Sequence, residues 1–195
     1  MPLPVTVEER AAVASRFAVA RWLLGDPDPP GRRSLGGILD LVRAGETDEQ
    51  LAMLAAALAD DLRDLDGRGG FAGREYARLF RTDGAPGRCA PLAAWYREGV
   101  AVGECTSEIA VLLADEGLDD LAFPADHAAT LLGLMEHLLH PGSSPGLEGV
   151  LRARNVAHML GWLPEWAADV ACEARHPFFV HAAAFALRAA ALLAE

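Results

Sequence analysis

The sequence predicts an all-helical fold, a single compact domain of about nine or ten helices. Three observations predict it. Hydrophobic residues make up 52% of the 195, and much of that fraction is Ala and Leu, both strong helix formers. Val, Ile, Thr and Tyr are scarce, and no alternating run reads as a convincing strand. Apolar residues instead recur at helical spacing in one segment after another, separated by capping residues, Gly and Pro. A folded chain of this length buries roughly 70% of its unfolded surface, which supports a core without disulfides or metals.

The elements follow in order. Thr6-Val7-Glu8-Glu9 reads as a capping box, and Val13, Phe17, Ala20 and Leu24 follow at helical spacing. The run Gly25 to Gly31, rich in Pro, ends that helix. Ser34 is placed to cap a short second helix through Val42, and Thr47 with Gln50 to cap a third. That third helix carries the stripe Leu51, Leu54, Leu58, Leu62 and Leu65. Gly67 to Gly73 is a glycine-rich break and a candidate lobe boundary, although it does not resemble a long linker. A helix from about Arg74 to Phe80 follows, then the loop Arg81 to Ala90. Thr106 is expected to cap a helix through Glu116, with Gly117 ending it. Pro124 is expected to open a long helix to Leu139. After a break at Pro141 to Pro145 come helices over Leu147 to Leu160 and Pro164 to Ala174. Pro177 starts the last, which carries Phe178, Phe179, Phe185, Leu192 and Leu193.

Charge narrows the classes of function. The formal net charge is -11, which excludes nucleic acid as an expected partner. All 17 basic residues are Arg. From Glu98 to Leu151 there is no Arg, and this stretch holds ten of the 28 acids: Glu98, Glu104, Glu108, Asp115, Glu116, Asp119, Asp120, Asp126, Glu136 and Glu148. Nearly the whole imbalance therefore lies in about a quarter of the chain, either as a solvated face or as a surface that attracts a basic peptide. No uncharged apolar run has the length of a membrane span, so no stable membrane insertion is expected. The first residues lack the basic start and apolar core of a secretory signal. Cys89, Cys105 and Cys172 form no CxxC pair. Both observations fit a cytosolic location.

Motifs for catalysis are weak. The glycines at Gly67 to Gly73 lack the Gly-Lys-Ser/Thr ending of a P-loop and no strand precedes them. Glu136, His137 and His140 have a spacing that metal ligands use, but no matching pair sits on a second helix. No GxSxG is present. Arg32-Arg33-Ser34-Leu35 resembles a twin-arginine export motif only superficially and reads as a helix start. No resident cofactor and no catalytic residue is expected. By contrast, Tyr76 to Phe80 leads into the Arg81 to Ala90 loop and Pro91 to Tyr96 leaves it, placing large apolar side chains on both sides of one connector. They read as loop-anchoring core or as a hydrophobic groove for a peptide. Asp126 is expected to cap the helix that follows it, with His127 packed nearby.

These segments, in this order, resemble a known family. Glu75-Tyr76-Ala77-Arg78-Leu79-Phe80 is similar to the aromatic-x-Arg-Leu-Phe element of the TorD/DmsD/NarJ-like molybdoenzyme maturation chaperones. Pro91 to Tyr96 resembles the Pro-containing aromatic segment that follows it, and Pro124-Ala125-Asp126-His127 the family's Pro-x-Asp-His. His158 to Trp166 resembles its His-Leu-x-x-Trp-x-Pro-x-Phe, and Ala174 to Phe179 the approach to its last helix. The resemblance is strongest after Gly67 and nearest the TorD/DmsD branch. The departures are Leu92 for an aromatic residue, Gly133 for an acid in the long helix, and Trp166 for Phe.

The resemblance implies a TorD/DmsD-like helical chaperone, not an enzyme. It implies as partners the N-terminal signal peptide, often twin-arginine, and the apo form of a molybdopterin-containing oxidoreductase subunit, held back from export until its cofactor is inserted. By position it implies peptide-binding roles for Tyr76, Leu79, Phe80, Pro91, Asp126 and His127, with the peptide's apolar part against Leu79 and Phe80 and its guanidinium on Asp126. Trp162 and Trp166 are expected in the core. The alternatives are a metal-binding enzyme using His137, His140 and Glu136, and a permanent structural subunit of an oxidoreductase. The sequence leaves the oligomeric state open, with a domain-swapped dimer one option.

Overall fold

Thr6 begins the first helix as predicted. Its hydroxyl accepts the Glu9 amide at 3.1 Å and the Glu9 carboxylate accepts the Thr6 amide at 3.0 Å. The structure, a computed structural model, describes residues 4, 6–25, 29–68, 70–81, 87–118, 122–143 and 146–194, and for 29–34 the backbone only. These residues form ten helices: α1 (Val7–Leu24), α2 (Pro29–Gly45), α3 (Glu49–Asp66), α4 (Phe71–Phe80), α5 (Ala93–Glu98), α6 (Glu104–Asp115), α7 (Ala128–Leu139), α8 (Gly146–Met159), α9 (Leu163–Glu173) and α10 (Pro177–Ala194). Among the described residues there is no strand, only an isolated antiparallel bridge between Leu92 and His127.

Several boundaries differ from expectation, each for a local reason. The α2 helix starts at Pro29, so Ser34 lies inside it and does not cap it. For α3 the cap is Asp48, whose carboxylate accepts the Leu51 amide at 2.9 Å, one residue after the predicted Thr47. The α4 helix starts at Phe71, three residues before the expected Arg74. For α6 the cap comes from outside the helix: the Glu98 carboxylate accepts the amides of Glu104 and Cys105, both at 2.9 Å. Thr106 sits in the first turn and accepts the Gly103 amide at 3.2 Å. The end of α6 is as predicted, with Gly117 in the left-handed region at φ 69°. Pro124 to His127 form a turn, and α7 begins only at Ala128.

Packing joins the residues before Gly67 to those after it. The face of α1 lies chiefly on α7, α2 lies on α3, and α3 lies on α10. One hydrophobic core runs through all of these, with Phe17, Leu58, Phe80, Ile109, Trp166 and Phe179 fully buried. At the centre is α10, against α1, α3, α8 and α9. By length and composition α10 is apolar enough to cross a membrane, but here more than half of it is buried against other helices. One ion pair and two histidine–carboxylate hydrogen bonds fasten α3 to α10: Asp48 with Arg188 (2.6 Å), Asp61 with His181 (2.7 Å) and Asp64 with His176 (2.9 Å). The Arg188 bond holds the Asp48 carboxyl below the usual carboxylate range.

Candidate peptide-binding site

The six residues expected to bind peptide are all buried, and they fall into two groups. Tyr76, Leu79 and Phe80 occupy the inner face of α4. The Phe80 ring packs on Trp166 at 5.9 Å, on Phe179 at 5.8 Å and edge-on against Tyr76 at 5.5 Å. The Tyr76 hydroxyl donates to the Leu24 carbonyl at 3.0 Å and so anchors the end of α1. Trp162 and Trp166 are core, as expected, and the Trp166 indole donates to the Cys89 carbonyl at 2.9 Å.

Pro91, Asp126 and His127 form a second, polar joint. The Pro91 carbonyl accepts the Ala128 amide at 2.8 Å, and the Asp126 carbonyl accepts the Ala93 amide at 3.1 Å. The Asp126 carboxylate accepts the Ala94 amide at 2.9 Å, so Asp126 serves the start of α5 and not of α7. His127 caps α7 instead, its Nδ1 accepting the Ala129 amide at 3.0 Å. Its ring stacks on Phe123 at 4.5 Å. Asp126 Oδ1 and His127 Nε2 have no protein hydrogen-bond partner. Burial pushes the His127 imidazole down to about 3, so it is neutral at pH 7. Both side chains are 0% exposed, and neither offers a surface to a guanidinium. The groove expected from exposed aromatics beside the Arg81 to Ala90 loop is therefore not built from these side chains. Residues 82–86 of that loop lie outside the described residues. Trp95 alone of the expected apolar group is substantially exposed, while Tyr96 stacks on Trp162 at 5.4 Å.

The open apolar surface lies elsewhere. A cavity of about 650 Å³ runs between α1 and α2, lined by Val19, Trp22, Leu35, Ile38, Leu41 and Val42 among others. Leu41 is 75% exposed and Trp22 43%. Its polar end is closed by Arg16 and Glu46, joined through two hydrogen bonds at 2.6 and 2.8 Å. Glu46 also accepts the amides of Thr47 and Asp48, which fixes the corner between α2 and α3. The sequence carries a signal for this cavity. Trp22 falls out of phase with the Val13, Phe17, Ala20, Leu24 stripe, and Leu41 with the buried Leu35 and Leu39.

A second cavity, of about 480 Å³, lies between α6 and α7 and is lined by Leu113, Leu118, Phe123, Thr130, His137 and others. Among the described residues its lining comes from the Arg-free stretch, with one addition, Arg21 of α1. Asp119 and Asp120 lie outside the described residues. Of the other acids, Glu116 pairs with Arg152, Glu136 with Arg21 at 2.9 Å, and Glu104, Glu108, Asp115 and Glu148 are exposed. Glu136, His137 and His140 do not converge. His137 faces Glu116 at 3.8 Å, and His140 ends α7 with its Nδ1 accepting the Gly142 amide at 3.2 Å. Among the described residues no three His, Cys, Asp or Glu side chains are grouped to hold a metal ion. Burial raises the Cys89 and Cys105 thiols to about 12, which leaves them unreactive.

Comparison with known proteins agrees with the motif order. Residues 44–168, more than half of the chain, match the family described as nitrate reductase delta subunit. A solved structure from Archaeoglobus fulgidus, described as a candidate redox enzyme maturation protein, superposes with a TM-score of 0.59 at 17% identity, covering 93% of this chain and 94% of that one. That likeness is one of fold. Curated proteins yield no match. The chain belongs to the nitrate reductase delta subunit family, the NarJ/TorD type of redox-enzyme maturation chaperones.

Proposed function

We propose that the chain is a cytoplasmic maturation chaperone, nearest the TorD/DmsD branch. On this reading it binds the N-terminal signal segment, of twin-arginine type, of a molybdenum-cofactor oxidoreductase subunit and holds the apo-subunit until its cofactor is in place. The observation that carries the reading is the open apolar trough between α1 and α2, with Trp22 and Leu41 exposed along it. Burying a few hundred Å² of apolar surface there returns several kcal/mol at roughly 25 cal/mol per Å². Ordering the segment offsets much of that, so binding is modest and release is easy. Tyr76 and His127 act on the site through the helices they hold. Tyr76 fixes the end of α1, two residues beyond Trp22, and His127 caps α7, which carries Glu136. Leu79, Phe80, Pro91 and Asp126 form the frame behind them. The chain acts as a binding protein and supplies no catalytic group.

The test is calorimetric titration with a synthetic peptide carrying two adjacent arginines and then an apolar stretch, beside a scrambled version. The parent protein is expected to bind the first and not the second. Leu41→Glu is expected to weaken binding at least tenfold, about 1.4 kcal/mol. Equal binding of the two peptides, or parental affinity in Leu41→Glu, overturns the reading.

A further inference from the structure

The two cavities meet at one ion pair. Arg21 and Glu136 line both, and the Arg21 Nε to Glu136 Oε2 bond at 2.9 Å crosses between them. Both side chains are only partly covered, at 42% and 29% exposed. The α7 helix accommodates Arg21 by having no side chain at residue 133. A Cβ on Gly133 would lie 2.9 Å from Arg21 Cδ, closer than such atoms approach. Gly133 is thus the notch through which the arginine stem crosses α7.

The pair is the charged point that the two cavities share. On one side is the α1–α2 trough, whose far end is already neutralised by the Arg16–Glu46 pair. On the other is a mostly apolar cavity between α6 and α7, in which Glu136 is the single Asp or Glu and Arg21 the single Arg or Lys among the described lining residues. Arg21 holds the carboxylate that an incoming cation would use.

We propose that the Arg21–Glu136 pair is an exchangeable latch: a guanidinium of the bound segment takes the place of Arg21 on Glu136, joining the two cavities into one trough. The apolar part of the segment then lies along Trp22 and Leu41, and its basic end lies over α6 and α7. This deepens, and rests on, the signal-segment reading. An exposed ion pair contributes little, so exchanging one guanidinium for another is close to balanced and reversible. The chemistry of the carboxylate also selects the ligand. A guanidinium makes two parallel bonds to a carboxylate, whereas an ammonium acts as a point charge.

The experiment uses the full chain, the Arg-Arg peptide and its Lys-Lys counterpart, and three variants, with circular dichroism as the control for folding. Arg21→Gln removes the competitor and is expected to tighten the Arg-Arg peptide about two- to fivefold. Gly133→Ala pushes Arg21 out of its notch without altering charge, and raises helix propensity, so it is expected to tighten binding in the same direction. Glu136→Gln is expected to abolish the preference for Arg-Arg over Lys-Lys while apolar binding persists. A parental preference in Glu136→Gln, or weaker binding in both Arg21→Gln and Gly133→Ala, overturns the latch and leaves the signal-segment reading standing. A parent protein that binds neither peptide overturns both.

Discussion

The segments that carry the family resemblance and the helices that line the open trough are built to opposite rules. Around Phe80, Pro91, Asp126 and His127 these side chains are enclosed, and Asp126 and His127 each spend one side-chain polar atom on a backbone amide while the other stays buried without a protein partner. Along α1 and α2, large apolar side chains stand partly in solvent and the bordering ion pair Arg21–Glu136 is half-exposed. The family match begins at residue 44, so α1 and nearly all of α2 fall outside it. The difference teaches that the recognisable motifs specify a scaffold, and that the open apolar surface is drawn from the less recognisable part of the chain.

The contrast is open to attack, most forcefully at its buried side. Phe80→Ala removes a ring packed on Trp166, Phe179 and Tyr76, and is expected to cost about 3–5 kcal/mol in denaturant unfolding. A loss below 1 kcal/mol would mean that this face of α4 is not a true core. Next comes pH. The folded His127 resists protonation down to about 3, whereas the unfolded imidazole titrates near 6.5. The unfolded chain therefore takes up a proton that the folded chain refuses, and stability falls as pH drops below 6.5. From pH 7 to pH 5 this amounts to about 2 kcal/mol. His127→Asn keeps an acceptor for the Ala129 amide and is expected to flatten that slope. An unchanged slope would remove His127 from the joint. The smallest effect belongs to the open side. Leu41→Glu is expected to alter unfolding free energy by no more than about 0.5 kcal/mol, because the residue is 75% exposed. A larger loss would make the trough part of the core, and the contrast would collapse.

The local features were legible in the sequence. The Thr6–Glu9 box, the Leu51 to Leu65 stripe and the stop at Gly117 each depend on residues within a few positions, and each formed as read. Features that depend on distant partners escape local spacing. Asp126 precedes a helix and so resembled its cap. Its actual partner, the Ala94 amide, lies 32 residues earlier in the chain, and the capping fell to His127. Likewise Glu98 caps α6 from before the intervening turn, displacing Thr106 from that task. The aromatic residues at Tyr76 and Phe80 gave no sign of which way they would face, since an apolar residue beside a loop serves a groove or a core equally well. Trp22 and Leu41 carried the opposite clue, apolar positions that no core stripe accounts for. The pairing of Arg21 with Glu136 spans 115 residues and is invisible to any local pattern.

The position of α10 sets an order in time as well as in space. It is synthesised after α1, α3, α8 and α9, yet each of them lays a buried face against it. Until α10 leaves the ribosome those faces have no cover, and the nascent chain exposes the kind of apolar surface that a chaperone is meant to shield in others. When α10 does emerge, it is itself an apolar segment long enough to be taken for a membrane span. Prompt docking of this helix onto its waiting partners is thus what keeps an apolar segment of spanning length from meeting a membrane.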